Sequence, residues 1–292
     1  MLTIGSRGSE LAIWQARHVA AQLKNAGVAT RIEIIKTTGD HLQTASLVQA
    51  GGKGLFTKEI EQALLSGAID LAVHSLKDLP TENTPGLAIA AIPERGDPRD
   101  AILGCKLSDL PHGARVGTSS GRRSAQLRSL RPDLDPQPIR GNVDTRIRKL
   151  KEGQYDAIVL AAAGLHRLGL EREIAEIFEP ARICPAPGQG ALAIQTREHD
   201  SGFAICAQLN HEPSRKAVTC ERAILAALGG GCQLPVGAFA EHMGRFLRVM
   251  AVVLSPDGAQ HLAANASGTD AGCIVVNDLL AQGAASILAK YK

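Results

Sequence analysis

A single cysteine stands in a glycine run, Gly229-Gly230-Gly231-Cys232-Gln233-Leu234-Pro235-Val236-Gly237. Consecutive glycines allow backbone conformations closed to other residues and let a bulky group come close to the sulfur. A lone thiol on such a loop is placed for chemistry; the competing reading is a small buried side chain in a turn. A second set lies in Leu71-Ala72-Val73-His74-Ser75-Leu76-Lys77-Asp78-Leu79-Pro80, where an apolar run ends in polar residues. Open parallel sheets bind ligands at the carboxyl ends of their strands, so Ser75, Lys77 and Asp78 are positioned to meet one. Lys77 favours an ionised Asp78 wherever the two side chains approach. The plainer reading makes Asp78 a turn cap before Pro80, and His74 reads as a packed strand residue.

Several junctions add sites for anions. Val116-Gly117-Thr118-Ser119-Ser120-Gly121-Arg122-Arg123 runs from a strand through hydroxyls into a helix start. There, free N–H groups and the helix dipole favour negative charge, and the two arginines add fork-shaped donors for carboxylates or phosphates. Arg140-Gly141-Asn142 repeats the design with Arg146 one turn further on, and Arg7 with Ser9 repeats it again. One charge run is usually a solvated face. Several such junctions in one chain point to a ligand with several negative groups.

The elements that must position these residues alternate between strands and helices. Leu2 to Gly5 predicts a strand, and Ser9 caps a helix with an apolar face of Leu11, Ala12, Ala16, Val19, Ala20 and Leu23. Thr30 to Lys36 predicts a strand, Thr38 to Gly54 a long polar loop of a length that is usually functional or mobile, Phe56 to Ser66 a helix and Ile69 to Ser75 a buried strand. This order implies a parallel sheet covered on both faces. The pattern restarts with strands at Ala101 to Leu103, Arg115 to Gly117, Gln137 to Ile139 and Asp156 to Leu160, and helices at Gly121 to Leu130 and Asn142 to Lys151. Proline-rich crossings at Ile92 to Pro98 and Cys184 to Gly190 flank this block, as a double hinge beside a cleft would. Arg245 to Leu254 and Gln260 to Ser267 predict an antiparallel pair, followed by a helix over Cys273 to Ala289. The expected fold class is α/β: two α/β domains with a cleft between them and a smaller C-terminal α+β domain. The expected divisions are 1–93 plus 190–208, 98–186, and 210–292.

Composition narrows the function. Aromatic residues make up 3% of the 292, too few for a base-stacking platform. The net charge of +3 does not by itself call for nucleic acid, although Arg115 to Lys151 holds eight arginines and two lysines against three aspartates. A nucleic-acid module built on that stretch is disfavoured. None of the six cysteines pairs at Cys-x-x-Cys spacing, which argues against a zinc knuckle, and no metal is expected. The N-terminus shows no signal-like apolar run, and no stretch approaches about 20 apolar residues, so a cytoplasmic location without a membrane partner is expected. Gly51-Gly52-Lys53-Gly54 lacks the Ser or Thr of a phosphate loop. Gly188-Gln189-Gly190-Ala191-Leu192-Ala193 follows prolines and not a strand, so a dinucleotide site is rejected.

Taken in order, Ser6-Arg7 with Leu11 to Ala16, Gly51 to Phe56, Val73 to Pro80, Val116 to Arg123, Arg140 to Val143, Pro187 to Leu192 and Gly229 to Gly237 resemble the hydroxymethylbilane synthase (porphobilinogen deaminase) family nearly end to end. That resemblance implies three domains, the first two similar to type II periplasmic binding proteins. It also implies a transferase of tetrapyrrole and heme biosynthesis. A dipyrromethane cofactor is held by a thioether to Cys232. Four porphobilinogen units condense onto it with loss of ammonia, and water releases the linear tetrapyrrole. Each substrate carries an acetate and a propionate, which accounts for Arg7, Arg122, Arg123, Arg140, Arg146 and Arg167 and for the hydroxyls of Ser9, Thr118 and Ser120. Loss of ammonia leaves a cation, and the resemblance makes Asp78 the buried carboxylate that stabilises it and passes protons. Gln15, Lys53, Ser75, Lys77 and Gln189 are expected ligand contacts. A monomer that passes its product to the next pathway enzyme completes the expectation. Gln49, Thr44 and Gly121 depart from the family's usual residues and bear on loop behaviour. The alternative, a non-enzymatic two-domain anion-binding protein, gives no reason for the glycine-bound Cys232.

Overall fold

The computed structural model describes residues 1–37, 57–231 and 234–291. Cys232, Lys53, Gln49, Thr44 and the expected loop from Thr38 to Gly54 therefore lie outside the described residues. The strands in chain order are β1 (Leu2–Ser6), β2 (Thr30–Ile34), β3 (Leu71–Ser75), β4 (Leu87–Ala91), β5 (Asp100–Leu103), β6 (Arg115–Gly117), β7 (Asp135–Gln137), β8 (Ala157–Ala161), β9 (Ile174–Ile177), β10 (Leu192–Arg197), β11 (Val236–Met243), β12 (Phe246–Leu254) and β13 (His261–Gly268).

One compact unit comprises Met1–Gly96 and Ala191–Arg215. Its five strands run in the order β2-β1-β3-β10-β4. β1 pairs in parallel with β2 and β3, but β10 is antiparallel to both β3 and β4. The sheet is thus mixed, which corrects the expectation of a parallel sheet. The cause is the register: Leu192 pairs with Ser75, so β10 starts beside the end of β3 and must run the opposite way. Helix Glu10–Asn25 starts as its sequence predicts. Ser9 is the N-cap and its hydroxyl accepts the N–H of Ala12 at 3.3 Å. Its buried residues Ala16, Val19 and Leu23 pack on Ile4, Leu71, Val73 and Ile194, which fixes the helix over the strand ends that carry the site.

A second unit comprises Asp97–Gly190 and Lys216–Lys292. Its α/β sheet runs β7-β6-β8-β5-β9, with β6 parallel to β7 and β8, and β5 antiparallel to β8 and β9. Helix Gly121–Leu130 spans the residues the sequence predicts, whereas β7 falls two residues before the expected Gln137 to Ile139. The same unit holds a smaller antiparallel sheet, β11-β12-β13. Two helices, Ala271–Ala281 and Ala284–Leu288, back it in place of the single expected helix, because Gly283 sits between them with φ of 100°. The fold is α/β with mixed sheets and a smaller C-terminal α+β part.

The elements flanking residue 232 are firmly tied. Helix Glu212–Ala227 ends in a Schellman arrangement: Gly230 N–H reaches the Leu225 carbonyl at 2.9 Å, Gly229 N–H reaches that of Ala226 at 3.1 Å, and Gly229 has φ of 108°. Buried Glu221 on that helix accepts the N–H of Gly188 and of Ala240, each at 2.7 Å. Across the sheet, a Cβ on Gly237 would lie 2.8 Å from that of Cys184, so only glycine allows β11 to pass there.

Candidate functional site

In the first unit a pocket forms where helix Glu10–Asn25 crosses the ends of β1 and β3. Arg7, Ser9, Gln15, Ser75 and Asp78 line it together, so five of the sequence-derived residues meet in one place. The Gln15 side chain is buried and its amide donates to Ser75 Oγ at 2.9 Å. His74 lies behind, accepting or donating to Gln195 Oε1 at 3.1 Å. Burial is the largest influence on it and, helped by the Arg7 charge and against the Gln195 hydrogen bond, brings the imidazole down to about 4. It is a neutral packed group at ordinary pH, as its place in the strand predicts.

Asp78 departs from expectation. It is exposed, not buried, because the chain leaves β3 in a short 3-10 turn, Leu76–Asp78, which buries Leu76 and turns Asp78 outward at the pocket's edge. Lys77 on the same turn is half-buried. Thr57, which sequence reasoning passed over, lines the same pocket, and its buried hydroxyl has no partner among the described residues.

The second unit holds a different arrangement. Asp100, the first residue of β5, is wholly buried. One oxygen accepts Arg123 Nε at 3.0 Å, Arg123 Nη2 at 2.7 Å and Gln189 Nε2 at 2.8 Å; the other accepts Arg122 Nη1 at 2.7 Å. Burial pushes its carboxyl up, but the two guanidiniums outweigh that and hold it well below the usual carboxylate range. Arg122 also donates to the Cys184 carbonyl at 2.6 Å and Arg123 to that of Val159 at 2.9 Å. Both arginines, at 4% and 6% exposure, sit inside the protein and not on the open junction their sequence context suggested. The helix start is capped by Ser120, whose Oγ accepts the Arg123 N–H at 3.4 Å. Buried Thr118 accepts the Ser120 N–H at 3.2 Å.

Two further arginines singled out by the sequence donate to main-chain oxygens. Arg146 Nε donates to Gly141 at 2.7 Å and Arg167 Nη2 to Gly190 at 2.6 Å. Burial lowers the Arg167 guanidinium to about 10. Arg140 is half-buried at the turn before helix Val143–Lys151. Gln189 lies in a turn in which Gly188 and Gly190 both take positive φ; a strand follows, consistent with rejecting a dinucleotide fingerprint. Asp100 was missed because it falls between the proline-rich crossing Ile92 to Pro98 and the expected strand Ala101 to Leu103, although an acidic residue opening an apolar strand in a chain with an arginine pair was a usable signal.

These sites fit a dipyrromethane bearing several carboxylates. The pocket offers a carboxylate, a guanidinium and an orphan hydroxyl at Thr57. The array offers a second orphan, the buried Nε of Arg122, with no partner among the described residues. An α/β fold with donor-rich strand ends and one open carboxylate defines a protein that takes a small polyanionic ligand.

The chain belongs to the porphobilinogen deaminase family. The model for "Porphobilinogen deaminase, dipyromethane cofactor binding domain" matches residues 2–204, and that for "Porphobilinogen deaminase, C-terminal domain" matches residues 215–281. Among similar proteins, the porphobilinogen deaminase of Thermus thermophilus is 49% identical, covering 100% of this chain and 99% of its own. That of Syntrophomonas wolfei is 47% identical over 100% and 99%, and that of a Roseiflexus species 48% over 99% and 98%. Among the described residues no single helix is long and apolar enough to cross a membrane.

Proposed function

We propose that the protein condenses four porphobilinogen molecules stepwise, releasing ammonia at each step, and yields hydroxymethylbilane by hydrolysis. The family match over the whole chain carries this reading, and the convergence of Arg7, Ser9, Gln15, Ser75 and Asp78 in one pocket supports it. The anion-binding alternative is set aside on the same ground.

Dipyrromethane, held by a thioether to Cys232, would supply the free pyrrole position that accepts the first unit. The chain's residues do the rest. Arg7, with Ser9, binds carboxylates at the helix start. Asp78, open to the pocket, opposes the positive charge that appears on substrate when ammonia leaves, and accepts the proton lost as the attacking ring regains aromaticity. Gln15 and Ser75 hold the pocket wall, with Lys77 and Lys53 as further contacts. Thr118, Ser120, Arg122, Arg123, Arg140, Arg146, Arg167 and Gln189 serve the carboxylates of the growing chain. The division into 1–93 plus 190–208, 98–186 and 210–292, a monomeric state, a cytoplasmic location and transfer of product to the next pathway enzyme belong to the same reading.

The intact mass of the denatured protein tests it. An excess equal to two condensed porphobilinogen units on the Cys232 peptide is expected, absent from Cys232→Ser. A wild-type protein that gains no mass and releases no ammonia with porphobilinogen overturns the reading.

A further inference from the structure

The Asp100 array holds more donors than one carboxylate can satisfy. Every nitrogen of Arg123 is engaged, Nε and Nη2 on Asp100 and Nη1 on the Val159 carbonyl. That is not so of Arg122. Its Nη1 spans Asp100 and the Cys184 carbonyl, while its buried Nε has no partner among the described residues. An unmet donor on a buried guanidinium is costly unless something supplies an acceptor. The other buried carboxylate of this unit, Glu221, directs its oxygens to Gly188 and Ala240 N–H. Asp100 also takes the amide of Gln189, whose Nε2 donates in addition to the Pro98 carbonyl at 2.7 Å. One side chain thus fixes two arginines of one helix and a glutamine from a separate turn.

We propose that Asp100 is a positioning residue for the reaction: it locks the torsions of Arg122, Arg123 and Gln189 so that the spare donor of Arg122 meets a carboxylate of the bound pyrrole chain. Arginine and glutamine side chains are otherwise free about several bonds, and a ligand would have to order them on binding. Asp100 does that ordering in advance. This inference rests on the reading of the ligand given above. It predicts that loss of Asp100 weakens ligand binding far more than it slows the chemistry.

Asp100→Asn keeps the volume and removes the charge; Asp100→Glu keeps the charge and displaces it by one methylene at a wholly buried position. Apo-protein of each is incubated with porphobilinogen, and covalent mass gain is followed against substrate concentration. KM and kcat are then read on the loaded fraction, and Tm on the same samples. Expected is a tenfold or greater rise both in KM and in the concentration needed for half-maximal loading, with kcat within about threefold of wild type. A lowered Tm with KM and loading unchanged would assign Asp100 to stability alone and overturn the proposal, as would failure of both variants to fold. Wild type runs in parallel: if it neither loads nor turns over, the functional reading fails, whereas if it does and both variants match it, only the role of Asp100 fails.

Discussion

The two units treat one sequence signature in opposite ways. At Arg7 and Ser9, and again at Ser120, Arg122 and Arg123, a strand runs through a capping serine into a helix, with arginine beside it. In the first unit the junction opens onto a pocket edged by an exposed carboxylate, Asp78. In the second it closes over a buried carboxylate, Asp100, which takes both guanidiniums. The difference comes from the partner strand. β5 starts with aspartate and runs antiparallel to β8, with Asp100 opposite Ala161. In the first unit the corresponding charge sits on a turn outside the sheet. A basic helix start becomes an open site or a closed clamp according to whether a neighbouring strand delivers an acid beneath it.

That contrast can be broken at either end. The largest effect is expected at the open end: Asp78→Asn should reduce turnover on the order of 10²- to 10⁴-fold while thermal unfolding shows stability within about 0.5 kcal/mol of wild type. At the closed end the signs exchange. Asp100→Ala leaves two buried guanidiniums unpaired and should lose about 3–5 kcal/mol of stability in denaturant titration. A value under about 1 kcal/mol would remove the distinction between clamp and site. His74 sharpens the comparison through pH. Its folded form takes up a proton only near 4, whereas the unfolded chain does so near 6.5. Between those values the unfolded state binds more protons, so stability falls as pH drops from 6.5 to 4. That gap of roughly two and a half pH units is about 3 kcal/mol, and His74→Asn should flatten that part of the stability curve. The smallest effect joins the two junctions: Ser9→Ala and Ser120→Ala should each cost about 1 kcal/mol through the lost cap. Equal losses would show that the two helix starts differ only in what lies beneath them.

Local signals were legible where the determinant was local. Ser9 announces its helix through short-range cap chemistry, and the apolar spacing of Glu10–Asn25 gives its buried face. Features that depend on distant pairing were not. Strand direction was misread because nothing near Leu192 states that it will pair with Ser75, over a hundred positions earlier. β11 went unread because Val236 follows a glycine loop and its antiparallel partner appears later in the chain. The helix expected over Cys273 to Ala289 breaks at a single glycine whose positive φ its neighbours do not dictate. At the site, residue types were readable, and so were five of the side chains that converge on one pocket. Exposure was not: whether Asp78 faces out and Arg122 faces in depends on a turn and on an acid from another strand.

The place of β10 has a consequence for how the chain is made. It lies between β3 and β4, yet it begins at Leu192, roughly 100 residues after β4 ends at Ala91. At about 5–20 residues per second, the ribosome delivers β10 some 5–20 s after β4. Until then β3 and β4 lack the strand that joins them, and the N-terminal sheet exists as two unjoined pieces with open edges. The part of the molecule synthesised first is therefore completed late, and the nascent chain needs cover for those edges during the interval.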